Sequence, residues 1–152
     1  MKKMVFWVFA GILFLGGCAT GMIEGKKLPQ VGDDYAAVFI MRKPTFIGGG
    51  NATTIKYNGE SLLYLNAGKC VTFNIPTGKT ILSGMNVGGW LIPYPYENKV
   101  EFNAVKGESY YFLADTHMGA TINDFDQLTK EQWEKASTKC EWFDLEKSTT
   151  TR

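Results

Sequence analysis

The feature that most constrains the fold is a series of short apolar runs, separated by turn residues, that begins at Tyr35. In one of these runs Val71, Phe73 and Ile75 alternate with polar residues and would share one face. A period of two is typical of β-strands that have one buried and one solvated face. Strand starts are expected near residues 35, 53, 60, 71, 79, 99 and 109, a spacing typical of antiparallel sandwiches or barrels. We therefore expect an all-β, antiparallel sandwich of about seven to eight strands.

Two local signals support this prediction. Residues 35–42 (YAAVFIMR) are nearly all apolar and end just before Pro44, which indicates a strand buried on both faces. The pair Asn58-Gly59 separates two strand-like runs. It predicts a tight hairpin, because both central residues of such a turn must accept a positive φ.

The amino-terminal residues 1–17 have the pattern of an export signal. Lys2 and Lys3 precede an uncharged apolar stretch, which is shorter than the roughly 20 residues that a membrane-spanning helix needs. The sequence Leu15-Gly16-Gly17-Cys18 resembles the lipobox of bacterial lipoproteins. This resemblance implies diacylglyceryl transfer to the Cys18 sulfur, cleavage before Cys18 and acylation of the new amino terminus. It also implies outer-membrane sorting, because Ala19 rather than Asp follows the cysteine. We expect a protein anchored to the bilayer by acylated Cys18 and facing the periplasm.

The chain then divides into a signal peptide (1–17), a lipidated start and flexible tether (18–34), a sandwich domain with a helix (35–147) and a disordered tail (148–152). The tether is polar and aperiodic, and a coil of its length would reach roughly 20–25 Å on average. Without the signal peptide, 14 basic and 15 acidic residues remain, a net charge of −1. Nucleic acid is not an expected partner, because its binding requires a basic face.

Cys70 and Cys140 remain once Cys18 carries lipid. In an exported, oxidising compartment we expect them to form a disulfide; the alternative is two buried free thiols. The bridge would close a loop of about 70 residues, for which chain entropy suggests about 4 kcal/mol of stabilisation. Cys70 directly precedes core-facing Val71, so its side chain would lie on the outer face of the same strand. The bridge would therefore place the carboxyl-terminal helix, on which Cys140 is expected, over an outer face or an edge of the sheet.

One helix is expected near the carboxyl terminus. Thr129 followed by Gln132 resembles a capping box, and the next residues are good helix formers. Trp133, Ala136 and Cys140 would then share one stripe of the helix if it extends so far.

The order of these segments resembles a family of small bacterial lipoproteins with a β-sandwich domain of unknown function. The resemblance is carried by AVFIMRKPTFIGGG, YNGESLLYLNAGKCVTFNIPTGKTIL and VKGESYYFLA, and it covers about residues 35–116. The stretch VGGWLIPYPYENK departs from the family pattern because it is longer than usual. The family implies a β-sandwich and no established activity, so the resemblance transfers no site residue.

Catalytic and metal-binding motifs are scarce. His117 is the only histidine and would share a strand face with Asp115, which gives the alternative interpretation of an envelope hydrolase. No G-x-S-x-G elbow accompanies the pair, and a polar strand end explains it more simply. One histidine cannot build a usual zinc site, and Asp115, Asp124 and Asp126 would make at most a loose calcium site. The run Gly48–Asn51 lacks the Lys-Ser/Thr of a P-loop. We expect neither a metal nor a cofactor.

The best candidate for function is the aromatic stretch Gly88–Asn98 (GGWLIPYPYEN). Trp90, Tyr94 and Tyr96 lie in a segment that two prolines stiffen, which lowers the entropic cost of presenting flat rings. Such rings form a binding surface in protein hot spots and on sugar-stacking platforms. Alternatively, they fold back as a lid on the sandwich. We expect a non-catalytic domain that binds a protein or glycan of the cell envelope or has a structural role there.

Overall fold

The computed structural model describes residues 20–44, 52–86, 96–116 and 123–148. In this part of the chain, ten strands form two sheets, accompanied by two short helices. The strands are β1 (Gly21–Met22), β2 (Tyr35–Arg42), β3 (Thr53–Tyr57), β4 (Glu60–Leu65), β5 (Lys69–Pro76), β6 (Gly78–Asn86), β7 (Tyr96–Ala104), β8 (Ser109–Thr116), β9 (Asn123–Leu128) and β10 (Glu141–Trp142). The helices are α1 (Lys130–Ala136), which a 3₁₀ turn (Ser137–Lys139) follows, and α2 (Leu145–Ser148).

The two sheets have five strands each. Sheet A has the order β1-β4-β3-β6-β7, and sheet B has the order β10-β5-β2-β8-β9. Neighbouring strands are antiparallel except for the parallel pairs β2–β8 and β5–β10. The predicted all-β sandwich with one short carboxyl-terminal helix is confirmed, and each predicted strand start lies within three residues of an observed one.

The hydrophobic core lies between the inner faces of the two sheets. The alternation in residues 71–75 is confirmed, because Val71, Phe73 and Ile75 are buried while Thr72 and Asn74 are exposed. Burying one such side chain contributes about 1.5–3 kcal/mol, so this layer supplies the main driving force for folding. The strand residues that form the core are Ala36, Val38, Ile40, Ile55, Leu62, Leu63, Leu65, Val71, Phe73, Ile75, Leu82, Ala104, Phe112, Ala114 and Phe125.

The hairpin between β3 and β4 has the predicted geometry. Asn58 has a φ of 49° and Gly59 a φ of 86°. The turn is also tied to β6: the Asn58 Oδ1 accepts a hydrogen bond from the Ile81 N–H at 2.9 Å. Asn is therefore favoured at this position for its side chain as well as for its tolerance of positive φ.

Helix α1 begins with the predicted capping box. Thr129 Oγ1 accepts from the Gln132 N–H at 3.3 Å, and Gln132 Oε1 accepts from the Thr129 N–H at 2.9 Å. Trp133 is buried against Met41 and Cys70 on the outer face of sheet B. This packing explains why both faces of β2 are apolar.

The sulfurs of Cys70 and Cys140 lie at disulfide distance, 1.93 Å, with their Cα atoms 5.8 Å apart. Cys140 does not belong to the helix, because α1 ends at Ala136 and the chain is extended at Cys140. Strand β10 begins at the next residue and runs beside Lys69 and Cys70. The bridge therefore attaches this covering segment to the edge of sheet B.

Residues 20–34 differ from the predicted flexible tether. Gly21 and Met22 pair with Tyr64 and Leu63 as strand β1, and Met22 and Leu28 pack against the core. This segment runs along the sandwich to the start of β2, where Asp34 forms an ion pair with Lys106. Only two of its residues form a strand, which is too short a run to produce a periodic pattern.

Strands β9 and β10 were not predicted. Among the side chains described in β9 (NDFDQL), only Phe125 is buried, and polar residues surround it because the strand lies at the edge of sheet B. Strand β7 also begins earlier than predicted, at Tyr96. Among the residues that the structure describes, no helix is both long and apolar enough to cross a membrane.

Candidate functional site

One end of the sandwich collects strand ends from both sheets. Strands β2, β4, β6 and β8 end there, and β3, β5, β7 and β9 begin there. In sheet A, Thr53 lies opposite Asn86, and Asn86 lies opposite Tyr96. In sheet B, Arg42 lies beside Ala114. We call the layer of Arg42, Thr53, Asn86 and Tyr96 the polar end. By strand alternation all four lie on the core-facing side of their strands, so the polar end closes the core.

Arg42 is the largest fully buried side chain among the described residues, with 1% of its surface exposed. Its Nη1 donates to the carbonyl oxygen of Leu65 at 3.2 Å, which links β2 of sheet B to β4 of sheet A. Burial lowers the pKa of the Arg42 guanidinium below its usual value, although arginine keeps its proton in proteins. A buried charge needs hydrogen-bond partners, so this contact fixes the relative position of the two sheets. From the sequence alone, Arg42 could be identified only as the last residue of a predicted strand.

Thr53 and Asn86 form the second polar contact of this layer. Thr53 Oγ1 donates to Asn86 Oδ1 at 2.8 Å, and both residues are buried. The bond holds the end of β6 to the start of β3. Because Asn86 and Tyr96 are directly opposite each other, sheet A fixes both ends of the sequence 87–95 that joins them.

The structure describes only one of the three aromatic residues singled out in the sequence. Tyr96 is the first residue of β7, and 41% of its surface is exposed. Trp90 and Tyr94 lie outside the described residues, as does Cys18.

The proposed His–Asp pair is only half described. The Asp115 carboxylate accepts a hydrogen bond from Lys43 Nζ at 2.5 Å and lies opposite Asp124 on the outer face of sheet B. His117 lies outside the described residues. The Asp115 carboxylate is thus already paired with Lys43. Within the described ranges, no group of three or more His, Cys, Asp or Glu side chains could hold a metal ion.

Glu97 holds the start of β7 in place through contacts that were not predicted from the sequence. Its carboxylate accepts hydrogen bonds from Lys56 Nζ at 2.8 Å and from Ser83 Oγ at 2.6 Å. These two bonds lower the pKa of the Glu97 carboxyl below its usual 4.5. Glu97 thus connects β7 to β6 and β3 one residue after Tyr96. No sequence signal joins these residues, because their contact depends on the strand register.

The opposite end of the sandwich carries a shallow cavity of about 260 Å³. It is lined by residues of the 26–29 and 57–62 segments, including Lys26 and Glu60, which form an ion pair at 2.9 Å. The hydrogen bond from Lys26 lowers the pKa of Glu60. Both partners are well exposed, so the cavity is open to solvent and the ion pair contributes little to stability.

Comparison with models of known protein families gives no match to this chain, and comparison with curated proteins gives none either. Functional residues are therefore inferred from the sequence and from the geometry of the sandwich.

Proposed function

We propose that this chain is a lipid-anchored protein of the bacterial cell envelope, located in the outer membrane on its periplasmic side. Its sandwich has a non-catalytic role and binds an envelope component, a protein or a glycan, at the polar end. The observation that carries the proposal is the opposite placement of Asn86 and Tyr96, with the Tyr96 ring exposed. The two residues hold both ends of the sequence that contains Trp90 and Tyr94.

This arrangement suits binding because a rigid scaffold supports the connecting sequence. Binding residues are commonly located on segments that a rigid sheet positions. Here Arg42 joins the two sheets at the polar end, and Glu97 fixes the start of β7. Preorganised aromatic side chains lose little conformational freedom on binding, and aromatic residues are enriched among hot spots.

Two features support the location in the envelope. The lipobox-like Leu15–Cys18 follows a signal-like leader. The Cys70–Cys140 pair at bonding distance fits a compartment in which disulfides persist. Acylation that places several chains on one residue anchors a protein firmly, whereas one chain binds only marginally.

Photocrosslinking in intact cells tests the binding role. A photoreactive phenylalanine analogue replaces Tyr96 in one variant and Tyr35 in a control. The control is matched because Tyr35 is 42% exposed and lies at the opposite end of the sandwich. We expect a defined envelope species, identified by mass spectrometry, at Tyr96 and not at Tyr35, and its yield should fall in Trp90→Ala and Tyr94→Ala backgrounds. The same species at both positions, or none at Tyr96, would contradict the proposal.

A further inference from the structure

The point at which the chain enters the described domain lies at the polar end. The Asn66 N–H donates to Thr20 Oγ1 at 3.0 Å, and Thr20 is 6% exposed. The next residue, Gly21, pairs with Tyr64. Asn66 follows the end of β4, next to Leu65, whose carbonyl oxygen accepts from Arg42. Thr20 and Arg42 are therefore attached to the same end of β4.

The distance from Thr20 to the proposed anchor is short. Cys18 is two residues before Thr20, and two residues of extended chain span at most about 7 Å. From Thr20 the chain continues away from the polar end, since Ile23 donates to Leu62 and Lys26 pairs with Glu60. Residues 20–34 therefore run along the sandwich, and they do not lengthen the connection between the anchor and the domain.

Lys43 is the one charged residue in the sequences that join β2 to β3, β6 to β7 and β8 to β9 at the polar end. Segments 45–51, 87–95 and 117–122 have no Asp, Glu, Lys or Arg, in a chain of which 20% is charged. The described residues carry a surface ion pair at each end, Lys43 with Asp115 at the polar end and Lys106 with Asp34 at the opposite end. Uncharged sequence with aromatic and aliphatic residues suits the interfacial region of a bilayer, where Trp and Tyr are enriched.

From this geometry we infer that the polar end is the membrane-facing surface of the sandwich and that it rests on the bilayer in which Cys18 is anchored. The inference rests on the proposed acylation of Cys18. It deepens the proposed function, since any protein or glycan bound at the polar end must then be reached at the membrane surface. Strand β2 spans eight residues, about 26 Å, so the opposite end stands well away from the lipid.

Two matched labels test this orientation in the full acylated protein, reconstituted on vesicles of phosphatidylethanolamine and phosphatidylglycerol. Lys43→Cys marks the polar end and Lys106→Cys the opposite end, and each lysine forms a surface ion pair with an aspartate. The introduced thiol is the reactive one, because Cys70 and Cys140 are bonded and Cys18 would carry lipid. With a fluorophore on each thiol and spin-labelled lipid headgroups as quencher, we expect several-fold stronger quenching at position 43. Equal quenching at both positions, or stronger quenching at 106, would overturn the inference.

A flexible insertion identifies the cause of the orientation. Sixteen Gly and Ser residues placed after Ala19 would give a reach of roughly 20–24 Å. If the short connection imposes the orientation, the two labels should become similarly quenched while the protein stays on the vesicles. If the difference survives the insertion, the polar end binds lipid by itself, which also supports a membrane-facing surface.

Vesicle flotation tests the proposed acylation of Cys18 independently of the orientation of the sandwich. The acylated protein should float with the vesicles and Cys18→Ser should not. If both float equally or neither floats, the proposed acylation fails and the inference fails with it. If flotation behaves as expected and the labels do not differ, only the orientation is refuted.

Discussion

The backbone N–H of Asn66 donates to the side-chain oxygen of Thr20 at 3.0 Å and ties the amino-terminal segment to the turn after β4. This contact lies two residues beyond Cys18 and next to the end of β4, which Arg42 joins to the other sheet. A sequence segment predicted to be a tether is thus partly a component of the domain. The connection between anchor and sandwich is correspondingly short.

Arg42 should contribute strongly to stability. Arg42→Ala removes a buried hydrogen bond from a charged group and leaves a cavity, so we expect a loss of about 2–4 kcal/mol in the free energy of unfolding, measured by urea titration. Arg42→Met keeps much of the packing and removes the buried charge, so its loss should be smaller. Equal stability of Arg42→Ala and the wild type would contradict the role of Arg42 in joining the sheets.

Gly84 should not tolerate a methyl group. A Cβ at this position would lie 2.8 Å from Cδ2 of the Phe125 ring, which is itself buried and stacked on Phe112. We expect Gly84→Ala to lower the free energy of unfolding by about 1–3 kcal/mol through overpacking.

Gly32→Ala is the control for this substitution, because nothing lies within 4 Å of the position that its Cβ would take and its φ is not positive. Phe125→Leu should partly rescue Gly84→Ala in the double variant, since the two sites are in contact. Equal effects of the two alanine substitutions would refute the close approach of β6 to β9.

Much of the sandwich could be predicted from the sequence, because alternation and turn chemistry are local. The strands around Val71 and the hairpin at Asn58-Gly59 are examples. The capping box at Thr129 is another. Strand order was not predictable, since the parallel pairing of β2 with β8 joins segments about 70 residues apart.

The polar end could not be predicted from the sequence, for a related reason. Nothing local marks Arg42 as buried, because its burial depends on both sheets closing over it. The contact of Glu97 with Lys56 requires the register of three strands. By contrast, the pairing of Cys70 with Cys140 was predictable, because only two cysteines remain after Cys18.

The disulfide should stabilise the fold by constraining the unfolded chain. Replacing Cys70 and Cys140 together by alanine avoids a lone thiol, and we expect a loss of about 2–4 kcal/mol, measured by urea unfolding. Mass spectrometry of the protein purified without reductant should show one internal bridge. Two thiols that react with an alkylating agent in the folded protein would contradict the pairing.

Glu97 should make stability depend on pH. Hydrogen bonds from Lys56 and Ser83 depress the pKa of the folded Glu97 carboxyl below its usual 4.5. The stabilisation is therefore fully present above the unfolded pKa, and it is lost as the pH falls through the folded pKa. The difference in unfolding free energy between the wild type and Glu97→Gln should be under about 1 kcal/mol at pH 7 and should shrink below pH 4.5.

Glu101→Gln provides the control on the same strand. Glu101 pairs with Lys79 at 2.8 Å, and both side chains are more than half exposed. An exposed pair of this kind contributes little, so the substitution should change stability less than Glu97→Gln at neutral pH. A difference for Glu97→Gln that stays constant from neutral pH to well below the usual carboxyl pKa would contradict the assignment of this contact.

The mass of the amino-terminal peptide shows whether Cys18 is acylated, and both the anchoring and the orientation depend on that acylation. The protein is produced in a bacterium that has an outer membrane. It is then extracted from the membranes, digested and analysed by mass spectrometry. We predict a mature chain that begins at Cys18 and carries a diacylglyceryl group on sulfur and an acyl group on nitrogen. A chain that retains residues before Cys18, or that begins elsewhere with an unmodified Cys18 thiol, would contradict the claim.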